Sequence, residues 1–293
     1  MKNLFLTLLI LISFICGLLV GVYKLPPYQF FFETKKLISQ KLMPDNNLHD
    51  FTECNVMQTT SIKDNSHIFI GHAYGSSNNN NDEFISSYAH DFIIKNKNNF
   101  NKIIFTGDVF NIPSLEKWKK LRHVVGDEVN ILIAPGNHDV GRSDSSDIFN
   151  LTEFSKYTYP FLNEIDDTAL IVEDSLKSEW LVSKATAELA KNTKFKKVII
   201  ARHHIPVKEL LPLANSQAFK SDELDSIHEL IKKFDNERMY FWVIGDGGAF
   251  KNLPRTSCLK YENHTFIING LGNISGDSVI IYDNQNFLRY AIT

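Results

Sequence analysis

The chain has 293 residues, enough for one large domain or two small ones. Its composition is that of an ordinary globular protein, and its formal net charge is −3 at pH 7. Because this charge provides no basic surface for a polyanion, we expect no nucleic-acid binding.

The N-terminus carries a long apolar stretch. Residues 4–23 contain no charged side chain and are flanked by Lys2 and Lys24. As a helix, a stretch of this length spans a bilayer core of about 30 Å. A cleaved signal peptide is the alternative, but positions 17–23 lack a clear small-residue cleavage site. We therefore predict a single-pass membrane anchor at residues 1–24. Since lysines lie on both sides of it, the side of the membrane that holds the body stays open.

After the anchor, we predict a connector at residues 25–60 and one domain at residues 61–293. Cys54 and Cys258 could pair if the body lies in an oxidising compartment. Two isolated cysteines are more often unpaired, however, so we expect free thiols.

Strand and helix patterns alternate from residue 66 onward, which favours an α/β fold. Short apolar runs predict the five main strands, at 66–71, 102–106, 129–134, 197–201 and 240–244. Helical spacing of apolar residues predicts helices at 83–97, 115–125, 178–192 and 222–234. Residues 140–175 are expected to be rich in loops. The last strands, near 264–269, 278–283 and 286–292, have no helices between them and predict an antiparallel completion.

Each of the five main strands is followed by Gly, His, Asp or Asn. In open α/β sheets, ligands bind outside the carboxyl ends of the strands, so these loops should converge on one rim. Imidazole, carboxylate and amide groups are ligands of divalent metals, and glycines let backbones approach closely. The pattern therefore predicts a metal or phosphate site at this rim, built from the loops that begin at residues 71, 107, 135, 202 and 245.

In its order of motifs, the chain resembles the calcineurin-like metallophosphoesterases from about residue 66 to residue 292. The resemblance rests on three motifs: Gly107-Asp108-Val109-Phe110-Asn111, Gly136-Asn137-His138-Asp139 and His203-His204-Ile205-Pro206. It implies a four-layer αββα sandwich, in which two packed β-sheets are flanked by helices. It also implies a two-metal centre that activates water and hydrolyses phosphate esters.

The resemblance also implies roles for single residues. Asp108 would bridge the two metals, and Asn137 would bind the second of them. His203 is favoured over His204 as a further ligand of this second metal. His138 would contact the phosphate or the leaving group as a catalytic residue, and Asp139 would hold its imidazole in place.

Two motifs depart from the family pattern. The first, normally Asp-x-His, is Ile70-Gly71-His72, so the carboxylate is lost and the histidine kept. The last, normally Gly-His-x-His, is Gly245-Asp246-Gly247-Gly248, so both histidines are lost. By this resemblance, the second site keeps Asp108, Asn137 and His203, and we predict Asp246 as its fourth ligand. The first site keeps only His72 and Asp108, so we predict that it is weak or empty. A carboxylate in place of an imidazole suits Mg, Mn, Fe or Zn.

Four further residues are expected near this rim. Arg142 and Tyr74 are candidates for substrate binding, since a guanidinium suits bidentate contact with phosphate. Asn111 and His204 are candidates for a metal ligand or for a group that orients one.

Two functional hypotheses follow. One is a membrane-anchored hydrolase that acts on a phosphate ester through an altered metal centre. The other is a pseudo-phosphoesterase that binds a ligand or partner without turnover. A weak inference from the anchor is a substrate at or near a membrane, but the residues do not name it.

Overall fold

The computed structural model describes residues 48–75, 83–141, 143–215, 223–249, 253–283 and 286–292, together with Ser13 and Gly17. The chain divides into two compact units, Met1–Asn46 and Asn47–Thr293. In the first unit, Ser13 and Gly17 are helical. None of the helices in the described segments combines the length and the apolar character needed to cross a membrane. Apart from those two positions, the predicted anchor lies outside the described residues, as does most of the connector.

The second unit, hereafter the body, is built on two mixed β-sheets. The first has the order β2-β13-β12-β3-β4-β5, with strands Met57–Thr59, Asn286–Ala291, Ser278–Asp283, Ser66–Ile70, Phe100–Phe105 and Asn130–Ile133. The second has the order β1-β10-β11-β9-β8-β7-β6, with strands Thr52–Glu53, Thr256–Tyr261, His264–Asn269, Met239–Ile244, Lys197–Arg202, Thr168–Val172 and Phe161–Ile165. The body begins at Asn47 rather than at residue 61, since β1 and β2 each join a sheet.

Helices cover the outer faces of both sheets. Helices α1 (Ser87–Asn96) and α2 (Leu115–Val125) share a hydrophobic cluster with the first sheet. Helices α5 (Lys184–Asn192) and α6 (Ile227–Ile231) share a second cluster with the second sheet. A third cluster lies between the sheets and joins residues such as Phe69, Ile104 and Ile199. The layers are therefore helix, sheet, sheet, helix, as predicted.

Strand β3 shows why the central strands are apolar throughout. Successive side chains of a strand point to opposite faces. Ile68 and Ile70 accordingly belong to the cluster under the helices, whereas Phe69 belongs to the cluster between the sheets. Both faces are buried, so the strand reads as a continuous apolar run, as strands covered on both sides do.

Serine caps make three helices shorter than predicted. Helix α1 begins at Ser87 because the side chain of Ser86 accepts a hydrogen bond from the Ala89 amide. Ser183 caps α5 in the same way, and Ser226 caps α6 in a capping box. The predicted starts at 83, 178 and 222 were too early, because the helical spacing of apolar residues extends upstream of each serine cap, where residues 83–86, 178–183 and 223–226 are not helical. Helix α2 matches its prediction at both ends.

The prediction of a loop-rich segment at 140–175 was wrong for much of its length. It contains the C-terminal end of the short helix α3 (Asn137–Val140), helix α4 (Ser143–Asn150) and the hairpin β6–β7. Strand β7 is buried along its whole length. The prediction of antiparallel strands at the C-terminal end of the chain is confirmed, since β12 pairs antiparallel with both β13 and β3.

A disulfide joins Cys54 to Cys258, which corrects the expectation of free thiols. The Cα atoms lie 5.0 Å apart. Strand β1 pairs with β10, and the Cys54 amide donates to the Cys258 carbonyl at 2.9 Å. The pairing of two strands far apart in sequence therefore brings the two sulfur atoms together.

Candidate metal centre

The five predicted loops meet where carboxyl ends of strands from both sheets come together. Glycines permit the close contact. A Cβ on Gly245, after β9, would lie 1.7 Å from the Thr106 carbonyl oxygen, after β4. A Cβ on Gly71 would lie 2.6 Å from the Gly245 Cα. Since no other residue type fits at such distances, these glycines join the rims of the two sheets into one site.

Two candidate ligands adopt backbone conformations that are rare for residues other than glycine. The φ angle is 48° at His72 and 55° at Asp108. Such left-handed positions are costly and persist where the surrounding structure holds them in place. The His72 amide donates to the Gly107 carbonyl at 3.0 Å, which ties the first loop to the second. The tight turns aim both side chains into the site.

Three of the five predicted ligands come together around one point, and a fourth, Asp108, lies beside two of them. His72, His203 and Asp246 are buried, and each offers a ligand atom within 4.8 Å of the others. Asp108 Oδ2 lies 3.5 Å from His203 Nε2 and 3.8 Å from His72 Nδ1. We call these four residues the metal cluster. His72, which was expected to remain from the lost first site, thus lies beside the residues of the second.

Hydrogen bonds and charge prepare His203 for a cation. Its Nδ1–H donates to the Thr106 carbonyl at 3.0 Å, so Nε2 faces Asp108. Burial lowers the pKa of His203, but the Asp108 carboxylate outweighs this and raises the pKa to about 9. Burial also raises the pKa of Asp108, but the imidazoles of His203 and His138 hold it well below its usual value. A divalent cation between His203 and Asp108 would take the place of the proton on His203 Nε2.

The residues fit a divalent metal. Among the described residues, His72 Nδ1 and His203 Nε2 are buried without a hydrogen-bond partner. Buried polar atoms are normally paired, so unpaired ring nitrogens beside carboxylates suit a bound cation. A carbonyl that holds the opposite ring nitrogen, as Thr106 does for His203, is the usual support of a metal-bound histidine.

His138 stands at the edge of the metal cluster with its ring open to solvent. Its side chain is 17% exposed, compared with 6% for His72 and 0% for His203. The ring Nδ1 donates to the Asn111 carbonyl at 2.8 Å, which leaves Nε2 4.0 Å from Asp108 Oδ2. The Tyr74 ring lies 5.2 Å from that of His138 and 5.5 Å from that of His72.

Asp139 does not hold the imidazole of His138, and that prediction was wrong. Its buried carboxylate accepts hydrogen bonds from the backbone amides of Asp108, Val109 and Gly136, at 2.8, 3.1 and 3.0 Å. Burial and the charge of Asp108 raise the pKa of Asp139 to about 7. The side chain therefore fixes the turn that carries Asp108, while Asn111 orients the imidazole.

The positions lost from the family pattern are closed in this fold. Ile70 is fully buried in the hydrophobic cluster under the first sheet's helices, so no polar group is expected there. Gly248 has a φ of +69°, and a Cβ on it would lie 2.3 Å from the Gly270 carbonyl oxygen. The last motif is therefore a tight glycine turn that has no room for a side chain at position 248.

Three other predicted residues are not among the four members of the metal cluster. His204 is buried, stacks on Trp180 with ring centroids 4.1 Å apart, and contacts Ser175 Oγ at 3.0 Å through Nδ1. Burial lowers its pKa well below the usual value, so this histidine is neutral. Asn137 is half-buried and begins helix α3 beside His138. Arg142 lies outside the described residues.

Two features of the site were missed from the sequence. Asn215 lies against His72, with its Nδ2 3.3 Å from the ring Nε2. The buried Arg202 and Glu173 side chains form an ion pair at 3.0 Å, and Arg202 Nε donates to the His204 carbonyl at 2.7 Å. A charged residue at the end of an apolar strand was the available signal for Arg202. Asn215 follows an irregular segment, and no sequence pattern marked it as part of the site.

Comparison with protein families agrees with the geometry. The model for the calcineurin-like phosphoesterases matches residues 67–245, more than half of the chain. The match includes every member of the metal cluster except Asp246, which directly follows it. A search of curated proteins finds no match. With this match and the two-sheet fold, the chain belongs to the calcineurin-like phosphoesterase family, and this membership supports metal-dependent hydrolysis of phosphate esters.

Proposed function

We propose that this protein is a membrane-anchored phosphoesterase that works through one altered metal centre, with His138 as its proton donor. The metal cluster carries the proposal, because two buried imidazoles and two carboxylates converge beside one partly exposed histidine, His138. Asp108, His203, Asp246 and His72 would hold the cation, and the neighbouring Asn137, which begins α3 beside His138, is a candidate for a further ligand. Mg, Mn, Fe and Zn all accept such oxygen and nitrogen ligands.

A divalent cation bound there would supply neutralisation of charge on the phosphate and a water molecule of lowered pKa. The protein side chains supply the remaining steps. The Asn111 carbonyl accepts from His138 Nδ1–H, so Nε2 faces the cluster, and it carries a proton there when the ring is an imidazolium. As the phosphorus–oxygen bond breaks, the His138 imidazolium gives its Nε2 proton to the leaving oxygen. A water molecule adds its oxygen to phosphorus and releases one proton, which restores the imidazolium. Tyr74, between the rings of His72 and His138, bounds the substrate on one side, and Arg142 binds its phosphate.

The body is proposed to lie in an oxidising compartment, with the anchor at residues 1–24 in the membrane. The disulfide between Cys54 and Cys258 supports this location, because such bonds persist in extracytoplasmic spaces and are rare in the cytosol. The cysteine pair therefore favours the outer orientation that the flanking lysines left open.

The test uses the full-length chain, purified in mild detergent. Metal content and affinity are measured first, and then turnover of phosphomonoesters and phosphodiesters with Mn, Fe, Zn or Mg added. We expect metal-dependent turnover that a chelator abolishes. His138→Gln should lower kcat by about 100-fold or more, because general acid catalysis contributes about 10²–10⁴-fold. It should leave metal affinity unchanged.

The control is His123→Gln, a substitution at an exposed position of α2. It should change neither turnover nor metal affinity. Full activity in His138→Gln would contradict the assigned role. Binding of metal and inorganic phosphate without turnover of any ester would instead support the binding-protein hypothesis.

A further inference from the structure

Asn215 lies beside the metal cluster without belonging to any family motif. It follows the 3₁₀ segment Lys208–Leu213, and its backbone amide donates to the Asp246 carbonyl at 2.9 Å. Its side-chain Nδ2 lies 3.3 Å from His72 Nε2. The residue is thus connected to two members of the cluster, to one through its backbone and to the other through its side chain.

The present orientation of the amide competes with a cation. Asn215 Nδ2 donates to His72 Nε2, which also lies 3.5 Å from Asp246 Oδ1. A ring nitrogen that accepts a hydrogen bond has no lone pair left for a metal. A cation bound through His72 Nε2, on the side of Asp246, therefore requires the amide to turn away from this contact, whereas His72 Nδ1 faces Asp108 on the other side of the ring.

A half-turn of the same amide removes the conflict. Asn215 Oδ1 is buried, and within the described part of the chain it has no hydrogen-bond partner. The amide nitrogen and oxygen are nearly equal in size, so rotation about the Cβ–Cγ bond exchanges them with little displacement of neighbours. The oxygen would then face the site, and amide oxygens are good ligands for hard divalent cations.

The glycine turn explains why a ligand from another loop would be needed. Gly248 stands where the family pattern has a histidine, but a Cβ there would lie 2.3 Å from the Gly270 carbonyl oxygen. A ligand for that side of the cluster must come from another loop. Asn215 is held against the same turn by its hydrogen bond to Asp246.

We propose that Asn215 is a ligand of the metal centre, binding the cation through Oδ1 after its amide rotates. This inference rests on the proposed function, since it requires a cation in the metal cluster. It makes the centre a set of two imidazoles, two carboxylates and an amide, in which a neighbouring loop replaces a side chain that the last motif has lost.

The test is the affinity for Mn²⁺ and Zn²⁺, measured by competition with a chromophoric chelator on the full-length chain. Asn215→Ala should weaken binding by about 10-fold to 100-fold. Asn215→Asp keeps the oxygen and the shape but has no N–H to donate, so it should bind at least as tightly as the wild type. The control is Asn99→Ala, which removes a comparable amide contact, to the Ile62 carbonyl, and should leave metal affinity unchanged.

Three results would overturn the proposal. Wild-type affinity in Asn215→Ala would show that no ligand was lost. Equal weakening in Asn215→Ala and Asn215→Asp would show that Asn215 acts only as a donor to His72. Absence of metal binding in the wild type would remove the proposed function together with this inference, whereas the first two results leave the proposed function intact. Because Asn215→Asp keeps the side-chain shape, the test still decides if the alanine variant does not fold.

Discussion

The ion pair between Arg202 and Glu173 should show strong coupling in stability. Both side chains are fully buried, at 0% and 1% exposed, and Arg202 Nη1 lies 3.0 Å from Glu173 Oε2. Glu173 Oε1 also accepts from the Ser183 amide at 3.1 Å and from Thr186 Oγ1 at 2.8 Å. Removing one charge leaves the other buried and unpaired, whereas removing both leaves no isolated charge.

The expected magnitudes follow from this burial. Glu173→Gln keeps the shape but leaves the guanidinium unpaired, so it should lower the free energy of unfolding by about 3–5 kcal/mol. Arg202→Met should lower the free energy of unfolding by a similar amount, because it leaves the buried Glu173 carboxylate without its cation. The double variant should cost less than the sum of the two by about 2 kcal/mol or more, since buried pairs are coupled.

The assay is denaturant unfolding of the full-length chain at 25 °C, with each variant measured at the same pH. The control is Glu188→Gln, which breaks an exposed pair with Lys184 and should change stability by about 0.5 kcal/mol or less. Additive costs within about 0.5 kcal/mol would refute the coupling argument.

Arg202→Met should also weaken metal binding more than Glu173→Gln does, because it alone loses the bond to the His204 carbonyl beside His203.

Two further predictions concern stability. The disulfide between Cys54 and Cys258 closes a loop with a sequence separation of 204. Its reduction, or Cys54→Ser, should lower the free energy of unfolding by up to about 5 kcal/mol and lower Tm on the order of 10 °C. An unchanged Tm after verified reduction would contradict this. Burial lowers the pKa of His264 to about 4, below its unfolded value of about 6.5, so its contribution is fully present above pH 6.5 and is lost as pH falls towards 4. Wild type should therefore lose about 3 kcal/mol more than His264→Gln between these pH values in denaturant unfolding, and parallel pH profiles would refute the assignment.

The predictions that succeeded depended on local pattern. Apolar runs located the central strands because each is buried on both faces, as β3 is. Helix α2 was predicted at both ends because Ser114 caps it and Gly126 ends it. The predicted starts of α1, α5 and α6 were too early because the apolar spacing also extends upstream of each capping serine. Only the structure shows which serine side chain accepts a hydrogen bond from the amide three residues later and so begins the helix.

In the candidate site, too, the predictions that depended on local pattern succeeded and those that depended on tertiary contacts did not. The identity of its loops followed from strand ends in glycine, histidine, aspartate and asparagine. The role of Asp139 did not follow, because sequence proximity to His138 suggested a contact that the fold gives to Asn111 instead. Asn215 and the pairing of Cys54 with Cys258 were out of reach, since each depends on a partner distant in the chain.

By itself, the sequence determined the α/β class, the order of the strand-end motifs and which family ligands are missing. These depend on residue type and on spacing along the chain. The tertiary structure decided how the remaining ligands combine. It placed His72 beside His203, closed position 248 with a glycine turn, and set Asn215 against His72. Such contacts arise from the packing of two sheets against each other, which brings together side chains that no local pattern connects.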